Sequence, residues 1–193
     1  MSLRPFTICA LLALLVCVAE AEVTKSALIS ELMNARRAIT QLKYLGQYSL
    51  VATAIDQALP NMYDISDDED LSQADQKTIL LPQNAALGPA GVGTLIRTGA
   101  ASAKQAVKFE SMGLLNVLDG YFTFKELKKC SSVPTMLDGR QLKKYSVPLL
   151  LRKGSAVALG QRNNPLSWSQ IVNPGIYKGR FFILHGVDAL QQA

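Results

Sequence analysis

Residues Lys77 to Leu87 read KTILLPQNAAL. Thr78, Ile79, Leu80 and Leu81 form a short apolar run that Pro82 stops. Thr and Ile favour a pleated strand, and proline cannot continue a strand's hydrogen-bond ladder. Asn84 is a residue type that caps a helix start. The stretch therefore predicts a buried strand, a turn and the beginning of a helix. About a hundred residues later, GRFFILHGVDAL (Gly179 to Leu190) supplies a second apolar strand, Phe181 to Leu184, followed by His185 and Asp188.

Upstream of the first stretch, Leu28, Leu32, Ala35, Ile39 and Leu42 recur at spacings of four and three. That spacing predicts one buried face of a helix, with Glu31, Arg36, Arg37 and Lys43 off the stripe. Gly46 interrupts the pattern. Ser49 is the expected cap of a second helix burying Leu50, Val51, Ala54, Ile55, Ala58 and Leu59 and ending at Pro60. Asn61 to Gln76 is polar and acidic. Asp64, Ser66, Asp68, Asp70, Ser72 and Asp75 fall at calcium-loop spacing. Glu69, however, stands where the loop needs glycine, and the last ligand is Asp75 rather than a glutamate, so the stretch reads as a solvated loop.

Downstream, Gly88, Pro89, Gly91 and Gly93 mark turns without the ending of a phosphate loop. A helix is expected within Thr94 to Ser111. Leu114 to Leu118 reads as a strand and Asp119-Gly120 as a turn. Thr123 to Glu126 fits a capping box opening a short helix through Lys129. Val133 to Leu137, Leu142 to Tyr145, Leu149 to Arg152, Ser155 to Leu159 and Ile171-Val172 read as further short strands, with Lys153-Gly154 a hairpin turn. Helices followed by many short strands predict an α+β domain.

The 193 residues suffice for one domain with a real core; 49% are hydrophobic and 18% charged, which excludes general disorder. At the N-terminus, Arg4, the apolar run Phe6 to Val18 and Ala19-Glu20-Ala21 have the plan of a secretory signal peptide, residues 1–21, cleaved after Ala21. Its removal takes away Arg4 and Glu20 and leaves the net charge of +5 unchanged. It also removes Cys9 and Cys17, leaving Cys130 with no internal disulfide partner. The expected product is soluble and secreted, without a transmembrane span or a lipid-anchor tail, in the extracellular space, matrix or cell wall. The modest basic excess favours acidic partners, and no nucleic-acid module is visible.

Taken together, Thr78, Ile79, Leu80, Pro82, Asn84, Ala86 and Leu87, and later Ile183, Leu184, His185 and Asp188, resemble the two signature segments of the fasciclin (FAS1) domain family. GYFTFKELKK and VPTML between them resemble the middle of that domain, closest in appearance to plant fasciclin-like (arabinogalactan-type) proteins. The resemblance covers roughly residues 45–190, preceded by a helical region, 22–44, and followed by a tail, 191–193. It implies a β-sandwich or wedge of short strands with flanking helices. It also implies a non-catalytic extracellular role in cell adhesion or in matrix and cell-wall organisation. Thr78, Pro82, Asn84, His185 and Asp188 are then structural signature residues. Many members carry a Tyr-His contact pair between the signatures. Leu115-Asn116 stands there in this chain, so the resemblance does not carry that contact over. The Pro-rich glycosylation tracts of the plant proteins and Asn-x-Ser/Thr sequons are absent from the sequence.

No constellation for catalysis is present. His185 is the only histidine; beside apolar residues and Asp188 it reads as a hydrogen-bonding structural group rather than a lone base. No cofactor or metal is expected. Cys130, after Lys128 and Lys129, reads either as a thiol open to an intermolecular bridge or as a packed small hydrophobe. Between Phe122 and Lys153, Lys125, Lys128, Lys129, Arg140, Lys143, Lys144, Arg152 and Lys153 stand against only Glu126 and Asp138. Sharing a face, they would bind acidic polysaccharide; dispersed, they are a solvated strand surface. Trp168 and Tyr177 read as sugar-stacking aromatics or as core anchors. The expected partners are an extracellular protein or an acidic polysaccharide, with a homo-oligomer also open. An alternative is a small secreted lipid or ligand carrier with an apolar pocket.

Overall fold

A computed structural model of the chain describes residues 25–63, 76–88, 111–137, 149–152, 157–160 and 168–190. The elements are helices α1 (Lys25–Ile39), α2 (Ser49–Tyr63), α3 (Asn84–Leu87) and α4 (Phe124–Leu127), and strands β1 (Lys77–Pro82), β2 (Val117–Asp119), β3 (Ser132–Val133), β4 (Leu149–Arg152), β5 (Ala158–Gly160), β6 (Ser169–Lys178) and β7 (Phe182–Val187). A 3-10 turn spans Leu42–Tyr44, and residues 111–115 are helical. The class is α+β.

The two quoted stretches pair with each other. β1 lies parallel to β7 from Lys77 opposite Phe182 to Pro82 opposite Val187. Every residue of both strands is buried, as a parallel pair covered on both faces requires. The described strands run in the order β2-β1-β7-β6-β5-β4-β3. A bridge between Leu118 and Thr135 then links the β2 edge to the segment just after β3. Its hydrogen bonds run from Asp119 N–H to Pro134 O (3.1 Å) and from Met136 N–H to Val117 O (2.8 Å). The described strands thus run as one continuous curl. The reason is β6, which pairs its first residues with β5 and the remainder with β7, bending at bulges near Asn173 and Gly175 (φ 63°).

Side-chain alternation divides the core in two. Ile79, Leu81, Val117, Phe182 and Leu184 meet the helices, where Leu28, Leu32, Ala35, Ile39, Val51 and Ile55 are buried. Leu80, Leu115, Leu118, Leu127, Val133, Leu159, Ile171 and Val187 fill the inside of the curl. Burying a leucine such as Leu32 stabilises the fold by roughly 2 kcal/mol. Helix α1 shares this core with strands at the other end of the chain, so a boundary at residue 45 divides residues that pack together.

Several local expectations are corrected. Helix α1 ends at Ile39, the Thr40 hydroxyl donates back to the Arg36 and Arg37 carbonyls, and the tighter 3-10 turn throws Leu42 out of phase to 89% exposure. Helix α2 passes through Pro60 to Tyr63, although proline has no N–H to donate to the helix ladder. Residues 111–115 are helical rather than extended. The helical turn closes through Asn116, whose side chain donates to Met112 O at 2.7 Å and whose N–H reaches Gly113 O, so β2 starts only at Val117. β5 lies two residues later than its expected centre. The capping box at Thr123 and Glu126 is formed, with the Glu126 carboxyl held below its usual range by the Thr123 hydroxyl and backbone N–H. The signal segment 1–21, the acidic loop 64–75, the glycine-rich turn and expected helix over 89–110, the strand Leu142 to Tyr145, the hairpin turn at Lys153-Gly154 and the tail lie outside the described residues.

Candidate functional site

β1 and β7 bring two of the signature side chains, Thr78 and His185, to one residue, Phe122. Thr78, fully buried, donates its hydroxyl to Gly120 O at 2.7 Å and accepts the Phe122 N–H at 2.7 Å. His185, fully buried on β7, donates from Nε2 to Phe122 O at 2.9 Å and accepts the Gly175 N–H at Nδ1 (2.9 Å). Those two contacts fix the neutral Nε2–H tautomer. Burial holds the imidazole pKa below its ordinary value; the Phe122 carbonyl opposes this and the Lys178 ammonium adds to it. Asp188 is not the partner of His185. Its Oδ1 accepts the Gln170 N–H at 2.7 Å while its own N–H returns to Gln170 O, tying the end of β7 to the start of β6.

Asn84 works backwards along the chain. The residue before α3 is Gln83, which makes no side-chain cap. Asn84 Oδ1 instead accepts the Leu50 N–H at 3.1 Å, and Nδ2 donates to Ser49 Oγ (2.7 Å) and to Gly46 O. It therefore caps α2 from 34 residues away in sequence. Pro82 is the last residue of β1 and is buried.

The fold is similar to that of a solved FAS1 domain pair from the insect cell adhesion molecule fasciclin I, at 11% identity and a TM-score of 0.43. The match covers 83% of this chain and 45% of that one, so this chain spans less than half of that protein's length. No protein-family model and no curated protein matches the sequence.

Of the eight cationic positions, Lys125, Lys128 and Lys129 lie exposed on α4 and the turn after it, with Lys128 Nζ 4.6 Å above the Phe124 ring. Arg152 lies on β4 with its side chain outside the described residues, as are Arg140, Lys143, Lys144 and Lys153. Cys130 is half-buried against the interior of the curl. Trp168 is half-buried, its indole packed where a side chain at Gly160 would stand. The Tyr177 ring lies 5.5 Å from that of Phe182; burial first, and then the Glu31 and Tyr121 charges, push its hydroxyl up to about 12. Leu115 and Asn116 are buried. Among the described residues no group of three metal-ligating side chains comes together, and no helix is long and apolar enough to cross a membrane.

The residue that pattern reading missed is Glu31. It is buried, and its Oε1 accepts the N–H groups of Phe181 (3.0 Å) and Phe182 (3.2 Å) while Oε2 accepts that of Arg180 (3.1 Å). One carboxylate on α1 thus satisfies the entry into β7, and a Cβ at Gly179 would collide with it. The signal was present in the spacing. Glu31 lies three residues after Leu28 and four before Ala35, on the buried face rather than off it, and a buried carboxylate needs donors. A second missed group is Asn173, whose Nδ2 donates to Tyr48 Oη (2.7 Å) and Gln47 Oε1 (3.1 Å).

Proposed function

We propose that this chain is a fasciclin-like domain acting outside the cell as a non-catalytic binding module, in adhesion or in the organisation of matrix or cell wall. One observation carries the reading. Thr78, Asn84, His185 and Asp188, the polar residues of the two signatures, all direct hydrogen bonds to backbone groups that hold turns, a bulge and a helix end. Such residues build a scaffold, and recognition is left to its surface. The ligand class we favour is acidic polysaccharide. The three exposed lysines around α4 support it, and Arg140, Lys143, Lys144, Arg152 and Lys153 add to the basic excess of the sequence that follows.

Retention of the protein on immobilised polygalacturonate across a salt gradient tests this reading. Binding that weakens steeply with salt, and falls several-fold in Lys125→Ala, Lys128→Ala and Lys129→Ala together, is the expected outcome. Absence of retention at low salt would overturn the polysaccharide assignment.

A further inference from the structure

Two leucines that the helical stripe leaves out stand at the end of α1. Leu42 is 89% exposed and Leu45 is 70% exposed. They begin and follow a 3-10 turn, and residues three apart in that geometry eclipse, so both project from the same side. The turn is firmly held. Tyr44 is buried and meets the Tyr48 ring edge-on at 6.1 Å; the N–H groups of Tyr44, Leu45 and Gln47 donate to Gln41, Leu42 and Tyr44 carbonyls. Apolar side chains on a braced turn gain nothing from solvent and do not fold back.

The charges beside them along the chain have one sign. From Met33 to Leu50 the chain carries Arg36, Arg37 and Lys43 and no carboxylate. Arg36 is spent on Asp56, to which its Nη2 donates at 2.6 Å. Arg37 and Lys43 are exposed, the latter with Nζ 5.1 Å over the Tyr44 ring. Asn84 and Asn173, which brace the Gly46 to Tyr48 segment from below, bring no acid to it. The arrangement is an apolar tip with a cationic collar. An interface that is anionic at its surface and apolar just beneath is complementary to it.

We infer that the Leu42–Leu45 turn docks on anionic phospholipid bilayers, the two leucines entering the acyl boundary while Arg37 and Lys43 meet phosphate. This goes beyond the polysaccharide reading and uses different residues. Two leucines and two cations make a weak, reversible contact. Leu42→Ser or Leu45→Ser should each weaken it about tenfold, and Arg37→Glu or Lys43→Glu about fivefold or more.

A local reporter tests it in the full chain. Leu42→Trp keeps a large apolar tip and adds an indole there; the unaltered chain, with Trp168 as its single tryptophan, supplies the background. Vesicles of phosphatidylcholine with and without 30% phosphatidylserine or phosphatidylglycerol (about one anionic lipid in three) are added, with brominated acyl chains as quencher. The expected result is a blue shift and quenching beyond background with anionic vesicles, several-fold smaller with phosphatidylcholine alone and in Arg37→Glu/Lys43→Glu. An unchanged melting temperature in these variants shows that the fold is intact. Emission equal to background with anionic vesicles overturns the proposal. So does a blue shift that grows with protein concentration without lipid, which would make a second copy of the chain the occupant.

Discussion

Thr78 and His185, on neighbouring parallel strands, hold the two backbone polar groups of one residue. Thr78 accepts the Phe122 N–H and His185 donates to the Phe122 carbonyl. The segment after β2 is thereby fixed to β1 and β7 at once. Thr78→Val, which keeps shape but removes the hydroxyl, leaves the Phe122 N–H and the Gly120 carbonyl unpaired and should cost about 2–3 kcal/mol. Combined with His185→Ala it should cost less than the sum, by about 1 kcal/mol, because both side chains fix the same turn. Urea unfolding of the two single variants and the double variant measures the coupling.

The same histidine predicts a pH response. Its folded-state pKa lies below the ordinary value, chiefly through burial. The unfolded chain takes up a proton near the usual imidazole value of about 6.5 while the folded chain resists it. Stability is therefore fully present above that pH and declines as the pH falls through it toward the folded value. With a single histidine in the sequence, the window between pH 7.5 and 5.5 isolates this group from the carboxylates. Wild-type unfolding midpoints should fall across the window, and those of His185→Gln should stay level from a lower starting point.

Glu31 accepts three backbone N–H groups at the entry to β7. Glu31→Ala strands all three and should cost roughly 3–5 kcal/mol. Glu31→Gln retains the oxygen facing Phe181 and Phe182 but turns an amide toward the Arg180 N–H, and should cost about half as much. Denaturant midpoints order the variants. Equal stability of Glu31→Ala and wild type would remove Glu31 from the account of the fold.

Gly186 sits where β7 passes the Tyr48 hydroxyl, and a Cβ there would overlap it. Gly186→Ala should destabilise by about 2–3 kcal/mol through overpacking. Tyr48→Phe, which opens the space at the loss of the hydrogen bond from Asn173, should recover part of that loss in the double variant. Thermal melts of the four proteins decide whether the clash is the cause.

Local chemistry was readable and long-range satisfaction was not. The apolar runs of β1 and β7, the stripe Leu28, Leu32, Ala35, Ile39 and the Thr123 capping box all follow from residues within a few positions of one another, and all are found. The missed features join distant segments. Asn84 has the chemistry of a cap, but its helix lies before it, a choice that local spacing cannot make. Glu31 looks like a surface acid until the N–H groups of Arg180 to Phe182 are brought to it. Leu114 to Leu118 has strand composition, yet buried Asn116 closes a helical turn first. Of the eight cationic positions, Lys125, Lys128 and Lys129 are those whose side chains fall among the described residues, and a charge count along a chain says nothing of which strands later adjoin.

The central strand pair joins residues about a hundred positions apart, and Glu31 reaches about 150 positions forward. During synthesis at the ribosome, α1 and β1 emerge long before the strand that completes them. Until Phe182 to Val187 is free of the exit tunnel, β1 has only the three-residue β2 to pair with and the Glu31 carboxylate lacks its donors. Loop closure over such separations is slow. The nascent domain therefore spends most of its translation with an apolar strand uncovered, the interval in which a chaperone has the most to bind.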